Sequence, residues 1–378
     1  MTHALRDRQY SDRDAQYEWF IQALRLRPVN LWGFSRINFV RTLMSKRKLG
    51  WLVDQKAVDG WNDPRFPTIQ GVVRRGVSVE SLRNFIISQG ASRNIINLEW
   101  DSFWALNKVA YESTCMRLMA VQAEDRATLT IANMDVAGVK DYSDETLHAI
   151  VVPKHPKDES LGQRPCRVSS KVLLEGEDAD GLKAGEEVIL VRWGVVKITS
   201  QEGPRAFTGE YVPGAPLKKK KALSWVAASP VSGFDPSVPL GEPGGGFGEY
   251  GDIQEVVLAE HDAARQAPST RGEACPRYDH LLAKPKLEED DDLETPGVMT
   301  PVSLVETKAL MDPMVKLLAH GDVIQLERRG FYRVDVPWRT RTNSERKKYV
   351  QIPRLIYIPD GKPQHKVPFS RLPKPAAK

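Results

Sequence analysis

The sequence predicts an α+β multidomain protein whose helical N-terminal part is followed by two antiparallel β-barrels. Three observations carry that expectation. Helical periodicity is confined to residues 1–115. From His148 onward the apolar residues fall in short β-type runs split by Gly, Pro and Asp, and no ten-residue helical pattern alternates with them, which disfavours a parallel βαβ sheet. A chain of 378 residues also exceeds what one ordinary core organises, so two or three domains are expected.

Taken in order, Ser11-Asp12-Arg13-Asp14 reads as an N-cap with an acidic first turn. Tyr17, Phe20, Ile21 and Leu24 follow at i, i+3, i+4 and i+7, and Pro28 stops this amphipathic helix. A short apolar segment, 29–34, leads into a basic stretch, 41–48. The passage 60–67 is turn-rich, because Pro64 and Pro67 forbid a regular helix. Ser78 predicts the cap of a second helix, with Leu82, Phe85 and Ile86 on one side and an end near Gly90; Trp100, Phe103 and Trp104 mark a third. The expected strands are 148–152, 167–174, 187–199, 222–227, 322–336 and 349–358. Between Ser229 and Pro276 the composition shifts to Gly, Pro, Ala and Ser. The run 241–248 lacks the preceding strand, following helix and Gly-Lys-Ser/Thr that a phosphate loop requires, so a low-complexity insertion is expected there.

Hydrophobic residues at 41% and charged residues at 27% give the balance of a globular protein rather than a disordered or membrane one. The net charge of +5 hides an uneven placement: residues 1–50 carry ten Arg and Lys against four Asp and Glu, and residues 328–378 carry fourteen against three. An acidic run, 288–292, lies between these basic ends, and the distribution suits a polyanion held at separated points as well as it suits solvated surface charge. Cys115, Cys166 and Cys275 form no CxxC pattern, which disfavours structural zinc and a disulfide framework and fits a reducing compartment. No apolar stretch approaches eighteen residues, so the cytosol is the expected location and no membrane partner is expected.

The most informative segment runs Phe34-Ser35-Arg36-Ile37-Asn38-Phe39-Val40-Arg41-Thr42-Leu43-Met44-Ser45-Lys46-Arg47-Lys48-Leu49. A Ser beside three cations supplies groups that meet a phosphate, although a solvated basic face has the same composition. Met44-Ser45-Lys46-Arg47 resembles the second signature of class I aminoacyl-tRNA synthetases, the KMSKS loop, in the variant of the glutamyl and glutaminyl members. In that family the loop closes over ATP while the amino-acid carboxylate attacks the α-phosphate. The resemblance therefore implies ATP binding by Met44, Ser45, Lys46 and Arg47, with Lys46 and Ser45 in catalytic roles. A mobile cation there meets negative charge as it grows on the leaving pyrophosphate.

Longer strings point the same way. Thr2-His3-Ala4-Leu5-Arg6 resembles the family's substrate-facing element, which implies amino-acid binding by His3 and Arg6. Residues 60–68 and Arg74-Arg75-Gly76 resemble the signature that follows the loop; packing accounts for most of it, and Arg65, Arg74 and Arg75 are the implied tRNA contacts. The wording of 67–76 and 88–108 is similar to the glutamyl rather than the glutaminyl form, while Met44 leans the other way. Residues 154–157, 170–176, 192–194, 278–281 and 322–331 resemble pieces of the double β-barrel region that binds the anticodon. Reading single-stranded RNA needs stacking planes and phosphate-neutralising cations, which Arg328, Arg329, Phe331, Tyr332 and Arg333 offer, though Phe331 at strand spacing fits a core position as well.

The implied organisation is a remnant of a Rossmann-type catalytic domain at 1–50, a helical connector at 51–115, barrel regions at 116–228 and 278–368 around the insertion at 229–277, and a basic tail at 369–378. The implied activity is ATP-dependent attachment of glutamate to tRNA(Glu) through a glutamyl-adenylate. ATP and Mg²⁺ serve as cofactors, no metal ligands are expected, and glutamate, tRNA(Glu) and other translation factors are partners. Three departures accompany this: the family's His-Ile-Gly-His element has no counterpart here, its hinge after the connector reads Glu112-Ser113 and Cys115-Met116, and low-complexity sequence stands in place of the barrel strand before Tyr278. The alternatives are a glutaminyl-tRNA synthetase, a catalytically silent tRNA-binding fragment or paralogue, and an interaction module with the barrels as scaffold.

Overall fold

The computed structural model describes residues 1–134, 148–228, 254–260, 281–284, 286–287, 291–295, 297–300, 303–342 and 348–361. The glycine-rich run 241–248, the motif residues Tyr278–His280 and the basic tail 369–378 lie outside them.

The chain opens with a βαβ succession: β1 (His3–Asp7), α1 (Asp14–Ala23) and β2 (Asn30–Phe34), with β1 parallel to β2 and His3 opposite Asn30. The expected cap at Ser11 is displaced. Asp7 instead accepts from the Gln9 N–H at 3.0 Å and starts a 3-10 turn that feeds α1. The apolar stripe of α1 is present but uncovered, with Trp19 62% and Leu24 63% exposed. Next come β3 (Ile37–Phe39), α2 (Lys46–Asp54), α3 (Ile69–Arg74), α4 (Val79–Gln89), β4 (Ile96–Leu98), parallel to β3, and α5 (Trp100–Glu112).

Hydroxyl caps fix the starts of α3 and α4: Thr68 accepts from the Gly71 N–H and Ser78 from the Ser81 N–H, each at 3.0 Å, satisfying donors that a first turn leaves unpaired. Ser78 therefore acts as expected, and Gly90 ends α4 with φ 68°. The face of α4 is rotated from the expected one, with Ser81 and Phe85 buried and Ile86 half-exposed. Phe85, Phe103 and Trp104 form a core with Phe39 stacked on Trp100 at 3.9 Å between ring centroids.

Phe331 and Ile358, from the last part of the chain, complete that same core. Gly76 sits at this seam with φ 98°, and a Cβ there would lie 2.4 Å from Ile358 Cδ1. Gly76→Ala is therefore expected to lower unfolding free energy by about 1–3 kcal/mol, from overpacking and left-handed strain together. Denaturant melts of the two chains check this.

The β-rich part contains β5 (Met116–Leu118), β6 (Ala120–Gln122), β7 (Arg126–Ile131), β8 (His148–Pro153), β9 (Gln163–Val168), β10 (Lys171–Glu175), a short α6 (Gly176–Ala179), β11 (Glu187–Leu190), β12 (Gly194–Gly203), β13 (Ala206–Val212), β14 (Lys221–Leu223) and β15 (Trp225–Ala227). Then follow β16 (Gln254–Glu260), β17 (Val305–Met311), β18 (Val323–Leu326), β19 (Gly330–Val336), β20 (Arg339–Thr342), β21 (Lys348–Gln351) and β22 (Arg354–Ile358). They build two seven-stranded sheets in the orders β14-β11-β12-β13-β7-β10-β15 and β5-β18-β19-β22-β16-β17-β6. In the first, only Ser224 separates the two outermost strands, and in the second only Met119 does. A one-residue break joining opposite edges forces each sheet to curl into a nearly closed barrel. Each is mainly antiparallel, with two parallel pairings apiece.

Three expectations are corrected. The runs 187–199 and 322–336 are each a hairpin, reversed at Arg192 (φ 70°) and Arg328 (φ 66°). The barrels do not follow one another along the chain, because Met116–Leu118 and Ala120–Gln122 pair into the second sheet and not the first. The stretch expected to be a plain insertion supplies β16, whose Val256 and Leu258 are fully buried: its Val-Val-Leu-Ala core is enough apolar surface to make a strand. Phe331 occupies the core position that its spacing allowed, at 3% exposure, and Tyr332 is buried in the second barrel, so neither ring offers a face to a base.

Candidate functional site

The loop 43–48 is held from behind and open in front. Leu43, Leu49 and Leu52 are buried against Leu281, Leu282, Leu293 and Val298, so apolar burial anchors the segment to a strap from the C-terminal half. Ser45 stands at the N-cap of α2, with its hydroxyl 3.5 Å from the Lys48 N–H, and Met44 is half-exposed. The first turn of α2 carries Lys46, Arg47 and Lys48 and no acidic residue. That is the reverse of what the positive end of a helix favours, at about 0.3–1 kcal/mol for each misplaced charge. Lys48 Nζ relieves part of it by donating to the Asp291 carbonyl at 3.0 Å. Lys46 and Arg47 are exposed and have no hydrogen-bond or ion-pair partner among the described residues. Two free cations at a helix N-terminus give the loop an exposed positive surface of the kind that suits a polyanion.

His3 is exposed on β1, its Nδ1 3.0 Å from Thr2 Oγ1 and its Nε2 3.5 Å from Asn30 Nδ2. Arg6 is paired with Asp14 and lies over the Tyr17 ring, 5.3 Å from its centroid. Among the described residues no hydrogen bond or ion pair joins either to Met44, Ser45, Lys46 or Arg47.

The arginines expected at tRNA are mostly engaged within the protein. Arg65 grips Asp63 through Nε at 2.8 Å and Nη2 at 2.7 Å, and Asp63 is 1% exposed. Burial alone would raise that carboxyl, but the Arg65 hydrogen bonds and charge outweigh it and hold it below the ordinary value. Arg74 makes a two-pronged pair with Asp335, both contacts at 2.8 Å. Arg75 lies over Trp104, 4.9 Å from the ring centroid, and Arg333 Nη1 is 3.5 Å from the Arg74 carbonyl. Arg328 and Arg329 cross to the first barrel, Arg328 Nη2 to Asp178 Oδ1 at 2.9 Å and Arg329 Nε to Glu175 Oε1 at 3.0 Å, while Arg192 Nε returns to Glu327 at 3.0 Å. A guanidinium neutralised by a carboxylate adds little net field for RNA, so these five pairs serve the fold first, and all but Arg65–Asp63 clamp separate elements together.

Arg41, which sequence reasoning did not single out, shares a small recess with Leu43, Arg65, Arg75, Trp100 and Leu281. Trp100 Nε1 donates to Thr42 Oγ1 at 2.8 Å and ties the wall of the recess to the loop. The only local signal for it is a cation three residues before Met44. No group of three His, Cys, Asp or Glu side chains that holds a metal occurs among the described residues. Burial pushes the Cys115 and Cys166 thiols up to about 11, which leaves them inert as nucleophiles.

Residues 1–112 match the family described as tRNA synthetases class I (E and Q), catalytic domain, and residues 115–211 and 268–335 match its two anti-codon binding domain families. The chain is 37% identical over 367 residues to the cytoplasmic glutamate–tRNA ligase of Saccharomyces cerevisiae, covering 97% of this chain and 44% of the relative. It is 38% identical over 344 residues to the cytoplasmic glutamate–tRNA ligase of Arabidopsis thaliana, covering 89% of this chain and 41% of the relative. Against the bifunctional glutamate/proline–tRNA ligase of Mus musculus it is 35% identical over 362 residues, covering 96% of this chain and 21% of the relative. The chain thus spans less than half the length of each of these three relatives.

Proposed function

This chain belongs to the class I tRNA synthetases of the E and Q group, and from that membership we propose that it is the loop-bearing and anticodon-binding portion of a glutamate–tRNA ligase. The observation that carries the reading is the N-terminal turn of α2, where Lys46 and Arg47 stand exposed and unpartnered on a loop held in place by buried leucines. Charging requires that the glutamate carboxylate attack the α-phosphorus of ATP and that pyrophosphate leave. Lys46 supplies a cation that follows the leaving charge, Ser45 sets the first turn, and Met44 and Arg47 complete the nucleotide contact. Mg²⁺ enters with ATP as the counter-ion of its phosphates. His3 and Arg6 face the amino acid from β1. The two barrels take the anticodon arm of tRNA(Glu), and Arg65, Arg74, Arg75, Arg328, Arg329 and Arg333 hold the connector and barrels in place for it through their internal contacts.

Residues 1–50 form the end of the catalytic domain, 51–115 the connector, and the barrels the remainder. The Saccharomyces cerevisiae and Arabidopsis thaliana relatives are cytoplasmic enzymes by name, and the cytoplasm is the location proposed here. No helix among the described residues is long and apolar enough to cross a membrane.

The test is pyrophosphate exchange with glutamate and ATP, measured on this chain and on a version extended at its N-terminus. Exchange by the extended version with glutamate and not with glutamine is the expected result. Exchange with glutamine alone, or none with either amino acid, overturns the reading. The chain as it stands is expected to bind tRNA(Glu) with a steep salt dependence, because the contact is to backbone phosphates.

A further inference from the structure

We infer that the recess beside the loop is a phosphate site separate from the exposed turn of α2, with Arg41 as the group that holds the anion. Arg41 adopts φ 54°, in the left-handed region that a long side chain rarely enters. It does so in the turn that follows β3, and among the described residues its guanidinium has no hydrogen-bond or ion-pair partner while its Nε is buried without an acceptor. A buried donor left unmade is costly, and an occupant with oxygen acceptors removes that cost.

The surroundings favour a phosphate group. Arg65 and Arg75 line the same recess; Arg65 is already paired with Asp63 and Arg75 lies over Trp104, so Arg41 is the cation left to meet an anion there. Leu43, Phe66, Trp100 and Leu281 supply apolar walls, which strengthen charge-assisted hydrogen bonds by excluding water. Guanidinium forks match phosphate oxygens in pairs, and Arg41 brings to the recess a guanidinium with no acceptor among the described residues. Arg41 leads into Leu43, the buried anchor of the loop, and Thr42 is hydrogen-bonded to Trp100 across the recess. An anion bound to Arg41 therefore also restrains the segment that presents Lys46.

A phosphodiester of RNA and the pyrophosphate end of a nucleotide offer the same oxygens, and binding measurements on the whole chain separate them; the RNA arm rests on the function proposed above. The probes are inorganic pyrophosphate and a tRNA(Glu) transcript, the latter titrated across a range of salt. Arg41→Asn removes the cation while suiting the left-handed backbone, so the fold is expected to be kept or stabilised, and Arg41→Lys keeps charge without the fork. Arg41→Asn is expected to weaken one probe by about tenfold or more, with partial recovery in Arg41→Lys. If RNA is the source, the slope of log affinity against log salt falls by about one. If a nucleotide is the source, pyrophosphate weakens and tRNA does not. Pyrophosphate binding lost in Arg41→Asn by a chain that binds no tRNA sustains the site and ends the RNA reading. Binding of either probe that is unchanged in a folded Arg41→Asn chain overturns the site when the other probe is unchanged as well, and leaves the tRNA reading standing if tRNA binds.

Discussion

Lys46→Ala, placed in an N-terminally extended chain that exchanges pyrophosphate, is expected to slow that exchange by about 10²–10³-fold, the size of effect seen when one group facing developing charge is removed. The structure makes this a clean substitution. Lys46 is exposed, has no intramolecular partner among the described residues, and occupies the first turn of α2, where a cation opposes the helix dipole. Stability should therefore stay within about 0.5 kcal/mol of the parent or rise slightly. Affinity for tRNA should be unchanged, since the charge is needed as pyrophosphate departs and not in the resting complex. An exchange rate equal to the parent's would remove Lys46 from the chemistry.

Asp335→Ala is expected to have the largest effect on stability, a loss of about 3 kcal/mol, because half-buried Arg74 loses both of its close contacts and keeps only Asp59 at 3.6 Å, while Arg354 retains Glu306 at 2.8 Å. Asp335 takes both prongs of Arg74 at 2.8 Å and lies 3.7 Å from Arg354, joining α3 of the connector to β19 and β22 of the second barrel. Burial by itself would raise the Asp335 carboxyl. The Arg74 hydrogen bonds, with the charges of Arg74, Arg354 and Arg333, outweigh it and hold the group below its ordinary value. A carboxyl depressed by folding stabilises the fold above its unfolded value of about 3.9, and that contribution is lost as the pH falls through the lower folded value. The parent should therefore lose stability in acid below about pH 4, and Asp335→Asn should show a flatter acid limb in the same denaturant titration. An identical acid limb in both chains would assign the acid sensitivity to other groups, such as Asp63.

What could be read in advance follows the range of the forces involved. The Ser78 cap and the Trp100, Phe103 and Trp104 spacing depend on residues three or four apart, and both were legible. The helix α2 was not, because three cations in its first turn contradict the usual start signal, leaving only Ser45 and the Leu49–Leu52 spacing. Reversals at Arg192 and Arg328 escaped notice because arginine carries no turn preference; the left-handed backbone is imposed by the hairpins around it. Loop residues 44–47 were found through a resemblance carried by consecutive residues. The engagement of Arg74, Arg328 and Arg329 was invisible for the opposite reason, since their carboxylate partners lie 261, 150 and 154 positions away. Arg41 fell between the two, near a motif in sequence but defined by a recess that four separate segments build.

The threading of the two barrels sets an order of assembly. All seven strands of the first sheet lie between Arg126 and Ala227, so it can close once that stretch has left the ribosome. Residues 116–122, although made earlier, wait for partners that arrive only with Val305–Met311 and Val323–Leu326. For the synthesis of about two hundred residues the newborn chain therefore carries two open strand edges, at a synthesis rate of roughly 5–20 residues per second. That interval is a window for chaperone capture or for mispairing with a neighbouring chain, and it closes when the last segment docks.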